Sequence, residues 1–176
     1  YEISECLVGS EMCIRDRRQG ADSTFLEDVI TWITAAIGIS DGGKRRMITN
    51  SFLISADNAH GIHPNYESKA DPTNQPLLNG GIVLKFHGGQ KYTSDAMTSG
   101  YLRTLCKGAG VSCQSYHNRS DIAGGSTLGN ISTAHVSIPS VDIGLAQWAM
   151  HSAMETAGTK DLDALIRLCE HFYGVD

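Results

Sequence analysis

The sequence lacks several features that would place it in a specialised class of protein. It contains no apolar run near the roughly 20 residues that cross a bilayer, so we expect no transmembrane segment. Lys and Arg number 14 against 19 Asp and Glu, with both signs interspersed, which argues against nucleic-acid and membrane-surface partners. The five cysteines are odd in number and not tightly spaced, which argues against a disulfide framework and favours a cytoplasmic, reducing location.

What is present is typical of one globular domain. A chain of 176 residues with 41% hydrophobic content is long enough and apolar enough to form a proper core. No internal repeat, low-complexity segment or linker divides it.

The first 17 residues differ from the rest. YEISECLVGSEMCIRDR has neither a helical nor an alternating apolar period and does not resemble a secretory signal. It does resemble a translated sequencing-library adapter, whose fixed nucleotides encode YEI, two index-dependent residues and then CLVGSEMCIRDR. We therefore expect residues 1–17 to be non-native, assign Glu5 and Glu11 no role, and expect the natural start of residues 18–176 to lie upstream.

The remaining sequence begins with a helical pattern. Apolar residues three or four apart over 25–37 predict an amphipathic helix, with Thr24 and Glu27 as a capping box and Gly38 at its end. The stretch 41–46, DGGKRR, is predicted to be a polar turn.

Strands and helices then alternate. Strands are predicted at 47–56, 80–87, 111–117 and 136–144, the last at a sheet edge or bent because it contains Pro139. Helices are predicted from Ser94 to Gly108, from Ser126 onward, and over 161–172. This alternation predicts an α/β fold with α/β/α layers around a mixed sheet.

The stretch SADNAHGIHPNY, at 55–66, contains residues that can bind a metal. Asp57 follows a predicted strand, where α/β sheets place ligands, and carboxylates and imidazoles both bind zinc. His60 and His63 follow at three-residue steps, but on a loop this spacing has no fixed geometry. A solvated turn explains the stretch equally well, so from the residues alone both interpretations stay open.

Other candidates are also ambiguous on their own. Lys85 lies in an apolar strand, where its ammonium must either reach solvent or meet an anion. The loop GGSTLG at 124–129 offers backbone N–H groups at a predicted helix start, suited to an anionic or carbonyl oxygen. Three cysteines have no nearby histidine or CxxC partner and are interpreted as core residues or buried thiols: Cys106, Cys113 and Cys169.

Four motifs taken in order are much more specific. SADNAHGIHPNY, IVLKFHGGQKYTSDA, RSDIAGGSTLGN and DIGLAQWAMHSAMET together closely resemble the aspartyl aminopeptidase family. The resemblance runs from RQGADSTFLEDVI to LCEHFYG, which is almost all of residues 18–176. It implies a zinc-exopeptidase-like fold, truncated at its N-terminal side, in which this chain is the C-terminal part of the catalytic domain.

The resemblance also implies roles for single residues. Asp57 and His151 match metal ligands, and His60 matches a contact to the substrate carbonyl that would stabilise an oxyanion. His63 is expected to be structural or to support a ligand. The expected substrate-binding residues are Lys85, Tyr92, Gly125 and Ser126.

The implied enzyme uses two divalent metal ions, zinc with cobalt or manganese as alternatives, and releases N-terminal Asp or Glu from short peptides. The family's general-base glutamate and its other ligands are expected upstream, so we expect this chain alone to be inactive. The resemblance further implies a large tetrahedral homo-oligomer, a dodecamer. Two alternatives are a di-metal aminopeptidase of neutral specificity and a non-catalytic oligomerising or cargo module.

Overall fold

The computed structural model describes residues 20–122 and 124–174, which contain five α-helices and seven strands. The helices are α1 (Phe25–Ala36), α2 (Asp41–Thr49), α3 (Ala96–Gly108), α4 (Leu128–His135) and α5 (Thr159–Tyr173). The strands are β1 (Leu53–Ala56), β2 (Ala59–His60), β3 (Ile82–Phe86), β4 (Cys113–His117), β5 (Ser140–Gly144), β6 (Ala146–Trp148) and β7 (Thr156–Ala157). In these two ranges, each helix is too short or too polar to cross a membrane.

Four strands form the central sheet, in the order β1-β5-β3-β4. β1 pairs with β5 and β3 pairs with β4 in parallel, whereas β3 and β5 are antiparallel. The sheet is therefore mixed, as predicted, with β5 and β3 at its centre. Soon after β1 and β5 the chain enters β2 and β6, which pair in parallel, and β7 adds antiparallel to β6.

The main apolar core lies between one face of the central sheet and helices α3 and α5. Alternate residues of the inner strands are fully buried there, such as Ile82 and Leu84 of β3 and Ile143 of β5. They pack against helical side chains that include Leu102 of α3 and Leu168 of α5. Each such burial contributes roughly 1.5–3 kcal/mol relative to an exposed side chain.

The opposite face of the sheet is more polar. Val83, Tyr92 and Tyr116 form a second, smaller cluster there. Helix α4 packs over β1 and β5, so closely that a Cβ on Gly129 would lie 2.7 Å from the Ser55 side chain. Helices thus cover both faces, which confirms the predicted α/β fold with α/β/α layers.

The start of the chain holds two corrections. Helix α1 and the left-handed Gly38 after it (φ 73°) are confirmed, but the predicted capping box is wrong because Thr24 Oγ1 donates to Asp28 Oδ2 at 2.9 Å. The predicted polar turn at 41–46 is wrong because these residues belong to α2, whose N-terminus is capped by the Ser40 side chain. A good N-cap and an acid in the first turn outweigh two glycines here.

Several element boundaries and the position of one strand also differ from the prediction. Residues 47–49 end α2, so the first strand starts only at Leu53. β5 is an inner strand because it begins just after Pro139, whose carbonyl still accepts from Leu53 N at 2.9 Å. Helix α3 is capped by Asp95 rather than Ser94, and α4 begins at Leu128 rather than at Ser126.

The apolar face of α1 remains exposed to solvent in the part of the chain that the structure describes. Trp32 is 66% exposed and Ile37 is 65% exposed, although the helix has the predicted apolar period. Trp148, by contrast, is partly buried, and its Nε1 donates to the Ile62 carbonyl at 2.8 Å.

Candidate active site

A cavity of about 500 Å³ lies over the polar face of the central sheet, between the loops that follow β1, β4 and β6. The site residues expected from the sequence all line it: Asp57, His60, Lys85, Tyr92, Gly125, Ser126 and His151. The fold therefore brings together residues from distant parts of the chain, whereas the role of each remains a prediction.

Asp57 leaves β1 at the point where β5 passes closest. Its backbone N–H donates to the Ile143 carbonyl at 3.0 Å, which continues the ladder one residue beyond the strand. A Cβ on Gly144 would lie 2.0 Å from the Asp57 carbonyl oxygen, so only glycine permits this path. The carboxylate, with 18% of its side chain exposed, faces Lys85, with 3.8 Å between Oδ2 and Nζ.

Lys85 is a buried cation. Only 4% of its side chain is exposed, which excludes the interpretation that the lysine reaches solvent over the sheet edge. Nζ donates to the carbonyls of Asn58 at 3.1 Å and Asp57 at 3.4 Å, and it lies 5.1 Å from the centroid of the Tyr92 ring. Two carbonyls, a carboxylate and an aromatic face together compensate for the desolvation of the ammonium.

Asp142 of β5, which is 0% exposed, accepts hydrogen bonds from the loop that carries Tyr92. Thr93 donates to Asp142 Oδ2 through its backbone N–H at 2.6 Å and its hydroxyl at 3.0 Å. The Asp142 N–H in turn donates to Ser94 Oγ at 3.0 Å. Asp142 has a positioning role that we did not predict. Its signal in the sequence is an acid inside an otherwise apolar strand.

His60 ends β2, is exposed to solvent and lines the cavity. Desolvation lowers the pKa of the His60 imidazole, and the charges of His151 and Lys85 lower it further, against a smaller opposite effect of Asp57. A neutral imidazole, which keeps one N–H donor, is therefore favoured. His60 is thus influenced by the charges of three other residues in the same cavity wall, namely Asp57, Lys85 and His151.

His151 lies in the loop between β6 and β7. Its φ is 69°, and Ala149 has a φ of 54°, so two residues with side chains occupy the left-handed region within one loop. Such conformations cost about 1 kcal/mol or more each and persist where surrounding contacts impose them. One such contact is the His151 N–H, which donates to Glu155 Oε1 at 2.6 Å.

Gly125 and Ser126 belong to the loop that leads into α4. Lys91 fixes this loop through a 2.6 Å bond from Nζ to the Gly124 carbonyl, and Asn130 Nδ2 donates to Ser126 Oγ at 3.2 Å. Thr127, at the N-cap of α4, is 2% exposed and makes no side-chain capping bond. The loop thus lines the cavity at the N-terminal end of α4.

His63 lies in the cavity wall, and its expected role, structural or in support of a ligand, stays a prediction. Its Nδ1 accepts from the Asn65 N–H at 3.1 Å, and its ring lies 5.4 Å from Trp148 and 5.3 Å from Tyr66. Further residues of the cavity wall were missed because their types carry no metal or catalytic signature in the sequence: Tyr116, Asn118 and Gln147.

The donor chemistry of Asp57 and His151 suits a zinc ion, since a carboxylate oxygen and an imidazole nitrogen are common zinc ligands. Protein zinc sites use three or four such ligands. Within residues 20–122 and 124–174, however, no group of three or more His, Cys, Asp or Glu side chains could hold a metal ion. The described residues therefore do not form a complete metal site, and the role of Asp57 and His151 as ligands stays a prediction.

The family model and the curated relatives that match this chain both carry the name of the M18 aminopeptidases. The family model described as aminopeptidase I zinc metalloprotease (M18) matches residues 8–173. This range includes residues 8–17 of the adapter-like segment, which lie outside the described residues. The probable M18 family aminopeptidase 2 of Pseudomonas aeruginosa strain UCBPP-PA14 is 44% identical over 155 residues, which are 88% of this chain and 35% of that protein.

Solved structures share the fold. A chain of the cryo-EM structure of the Ape4 and Nbr1 complex is 35% identical with a TM-score of 0.86, over 90% of this chain and 30% of that chain. The S. cerevisiae mApe1 dodecamer is 24% identical with a TM-score of 0.75, over 90% of this chain and 34% of that chain, which is a likeness of fold alone. This chain spans about a third of the length of the curated relatives that it matches.

Proposed function

Because the chain belongs to the aminopeptidase I zinc metalloprotease (M18) family, we propose that the protein is an aminopeptidase that releases Asp or Glu from peptide N-termini. The observation that carries this specificity is the buried ammonium of Lys85 in the cavity wall. An acidic first side chain would bring an anion to a cation that is now bonded to the carbonyls of Asp57 and Asn58. A charge-assisted hydrogen bond of this kind contributes about 1.5–3 kcal/mol.

In this proposal two divalent metal ions, zinc or alternatively cobalt or manganese, are held in part by Asp57 and His151. The pair would lower the pKa of a bound water, which supplies the nucleophile at neutral pH. We propose that the remaining ligands and the general base come from outside the described residues, because no group of three or more potential ligands occurs within them. The chain on its own is therefore proposed to be inactive.

The other lining residues would bind the peptide. His60, whose pKa is lowered, would donate its remaining imidazole N–H to the scissile carbonyl as negative charge develops on that oxygen. Tyr92, with its ring against the Lys85 ammonium, would shape the pocket for the first side chain. Backbone N–H groups near Gly125 and Ser126 would contact a peptide oxygen.

The proposal extends to partners and location. Short peptides with an acidic first residue are the proposed substrates, and the proposed compartment is the cytoplasm. A homo-oligomer, as in the S. cerevisiae mApe1 dodecamer of the same fold, is the proposed assembly.

The test replaces Lys85 by Met in a protein of the relatives' full length that contains this cavity. Lys107, exposed on α3, is replaced by Met as the matched control. We expect kcat/KM for an aspartyl anilide to fall about 100-fold in Lys85→Met, which corresponds to about 2.7 kcal/mol, while turnover of an alanyl anilide changes little. Lys107→Met should leave both unchanged.

Two results would contradict the proposal. If the unaltered protein prefers alanyl over aspartyl substrates, the specificity is neutral and Lys85 has a structural role. If no anilide is hydrolysed with zinc, cobalt or manganese present, the non-catalytic module is the better explanation.

A further inference from the structure

Two cysteines lie near the junction of α3 and β4, on the face of the sheet opposite the cavity. Cys106 of α3 is 1% exposed, and Cys113 at the start of β4 is partly buried and packs against the cluster that contains Cys106. Cys113 is in register with the core residue Ile82, so it faces the side on which α3 packs. Ser115, two residues further on, faces the same side and accepts from Arg103 of α3 at 2.8 Å.

The backbone keeps these two cysteines together. After Cys106 the chain turns back at once, because the Val111 N–H donates to the Cys106 carbonyl at 2.9 Å and Gly110 takes a left-handed φ of 66°. The two thiols interact across this short connection, and the Cys113 thiol also donates to the Gln114 carbonyl at 3.7 Å. The pair is therefore a fixed feature of the α3–β4 junction.

The charges around the pair favour a thiolate at Cys113. The hydrogen bond from Cys106 lowers the pKa of the Cys113 thiol to about 7, against the effect of burial and with help from the Arg103 guanidinium. The same hydrogen bond, together with burial, raises the pKa of Cys106. Since the thiolate is the reactive form of cysteine, the direction of these two pKa shifts favours Cys113 as the nucleophile of the pair.

We propose that Cys106 and Cys113 form an oxidisable thiol pair, which a hydroperoxide converts to an intramolecular disulfide that joins α3 to β4. The Cys113 sulfur attacks the peroxide, the O–O bond breaks, and Cys113 becomes a sulfenic acid as the leaving oxygen takes up a proton. The Cys106 sulfur then attacks the Cys113 sulfur, the S–OH bond breaks, and the hydroxyl leaves as water with the Cys106 proton. Two electrons pass from the two thiols to the peroxide.

The sequence makes the product easy to identify. Trypsin cleaves after Arg103, Lys107 and Arg119, so Cys106 and Cys113 fall in the separate peptides 104–107 and 108–119. The 176-residue chain is treated with hydrogen peroxide, alkylated with iodoacetamide and digested without reductant. We expect a linked species of these two peptides, about 2 Da lighter than their sum. Separate, singly oxidised or alkylated peptides with no linked species would overturn the proposal.

Cys169 of α5, which is partly buried like Cys113, is the internal reference. At pH 7 a thiol with a pKa near 7 is about half ionised, so iodoacetamide should alkylate Cys113 faster than Cys169 in the folded chain. The ratio should approach one in 6 M urea, where the α3–β4 junction is lost. Equal rates in the folded chain would overturn the proposal without any variant.

Two serine variants separate the roles of the sulfurs. In Cys106→Ser the sulfenic acid at Cys113 has no thiol to attack it and should be trapped by dimedone. In Cys113→Ser the Cys106 thiol should resist peroxide. Dimedone labelling of Cys106 rather than Cys113 would contradict the assignment of the nucleophile.

Discussion

Asp161 joins the first turn of α5 to the turn that precedes β3. Its side chain is 0% exposed, which is unusual for a carboxylate. Oδ2 accepts from the Asn79 N–H at 2.6 Å and Oδ1 accepts from the Gly81 N–H at 2.7 Å. Both donors belong to strained backbone, with φ values of 62° at Asn79 and 93° at Gly81, so one carboxylate holds the turn in place.

Replacement of Asp161 by Asn keeps the size of the side chain but turns one acceptor into a donor that faces a backbone N–H. One charge-assisted hydrogen bond, about 1.5–3 kcal/mol, is lost and a buried N–H is left unsatisfied. The favourable charge at the N-terminus of α5, about 0.3–1 kcal/mol, is lost as well. We therefore expect the free energy of unfolding to fall by about 3 kcal/mol.

Urea unfolding followed by far-UV circular dichroism measures this change. With a slope of about 2 kcal/mol per molar urea, the midpoint of Asp161→Asn should lie about 1.5 M lower. The matched control is Asp163→Asn in the same helix, since Asp163 is 69% exposed and pairs with Arg167 at 3.2 Å. The control should change stability by no more than about 0.5 kcal/mol. A loss below about 1 kcal/mol at Asp161, or equal losses at both sites, would refute the reasoning.

Three further predictions concern the sheet, a helix cap and the metal. Gly144→Ala should lower the free energy of unfolding by about 3 kcal/mol in urea because its Cβ would collide with the Asp57 carbonyl, whereas Gly42→Ala, with open space in α2, should raise it by up to about 1 kcal/mol. Asp95→Ala should cost about 1 kcal/mol at pH 7. Hydrogen bonds from Thr98 lower the pKa of the Asp95 carboxyl in the folded state, so this stabilisation is fully present above about pH 4. It should decrease as the pH falls through the folded pKa, which a series of urea titrations from pH 7 downward would show. Metal analysis of the full-length protein should find about two ions per subunit, and less than one would contradict the proposed chemistry.

Elements with a clear apolar period were predictable, and elements specified by single polar contacts were not. Apolar residues recur at helical spacing in α1, α3 and α5, and the apolar run of β3 predicts a strand from the sequence alone. Helix α2 was missed because its two glycines and its basic residues resemble a turn, while the Ser40 cap that starts it is a single side chain. The inner position of β5 was missed because Pro139 precedes the ladder by one residue, within the uncertainty of any boundary read from sequence.

The residues of the candidate site also include some that the sequence could predict and some that it could not. Asp57 could be placed after a strand from its neighbours, but no local pattern links it to His151, and only the order of four motifs suggested that they converge on one cavity. Asp142 and Tyr116 were missed because a buried acid and a buried tyrosine have no characteristic spacing. Their roles arise from pairing across the sheet, which depends on strand order rather than on sequence neighbours.

Lys85 lies beside both Asp57, an expected metal ligand, and Tyr92, an expected substrate-binding residue. One experiment can therefore separate a role of Lys85 in substrate binding from a structural role. Its ammonium lies 3.8 Å from the Asp57 carboxylate, with both groups largely buried, so the pair interacts by up to about 4 kcal/mol at an effective dielectric constant of 20. In Lys85→Met this competing cation is gone, and Asp57 should bind a divalent ion at least as tightly as before. The full-length Lys85→Met protein should therefore keep its metal content under mild chelation while it loses selectivity for acidic substrates. Loss of metal together with loss of activity on every substrate would instead mean that Lys85 acts by holding the Asp57–Asn58 backbone in place through its two carbonyl bonds.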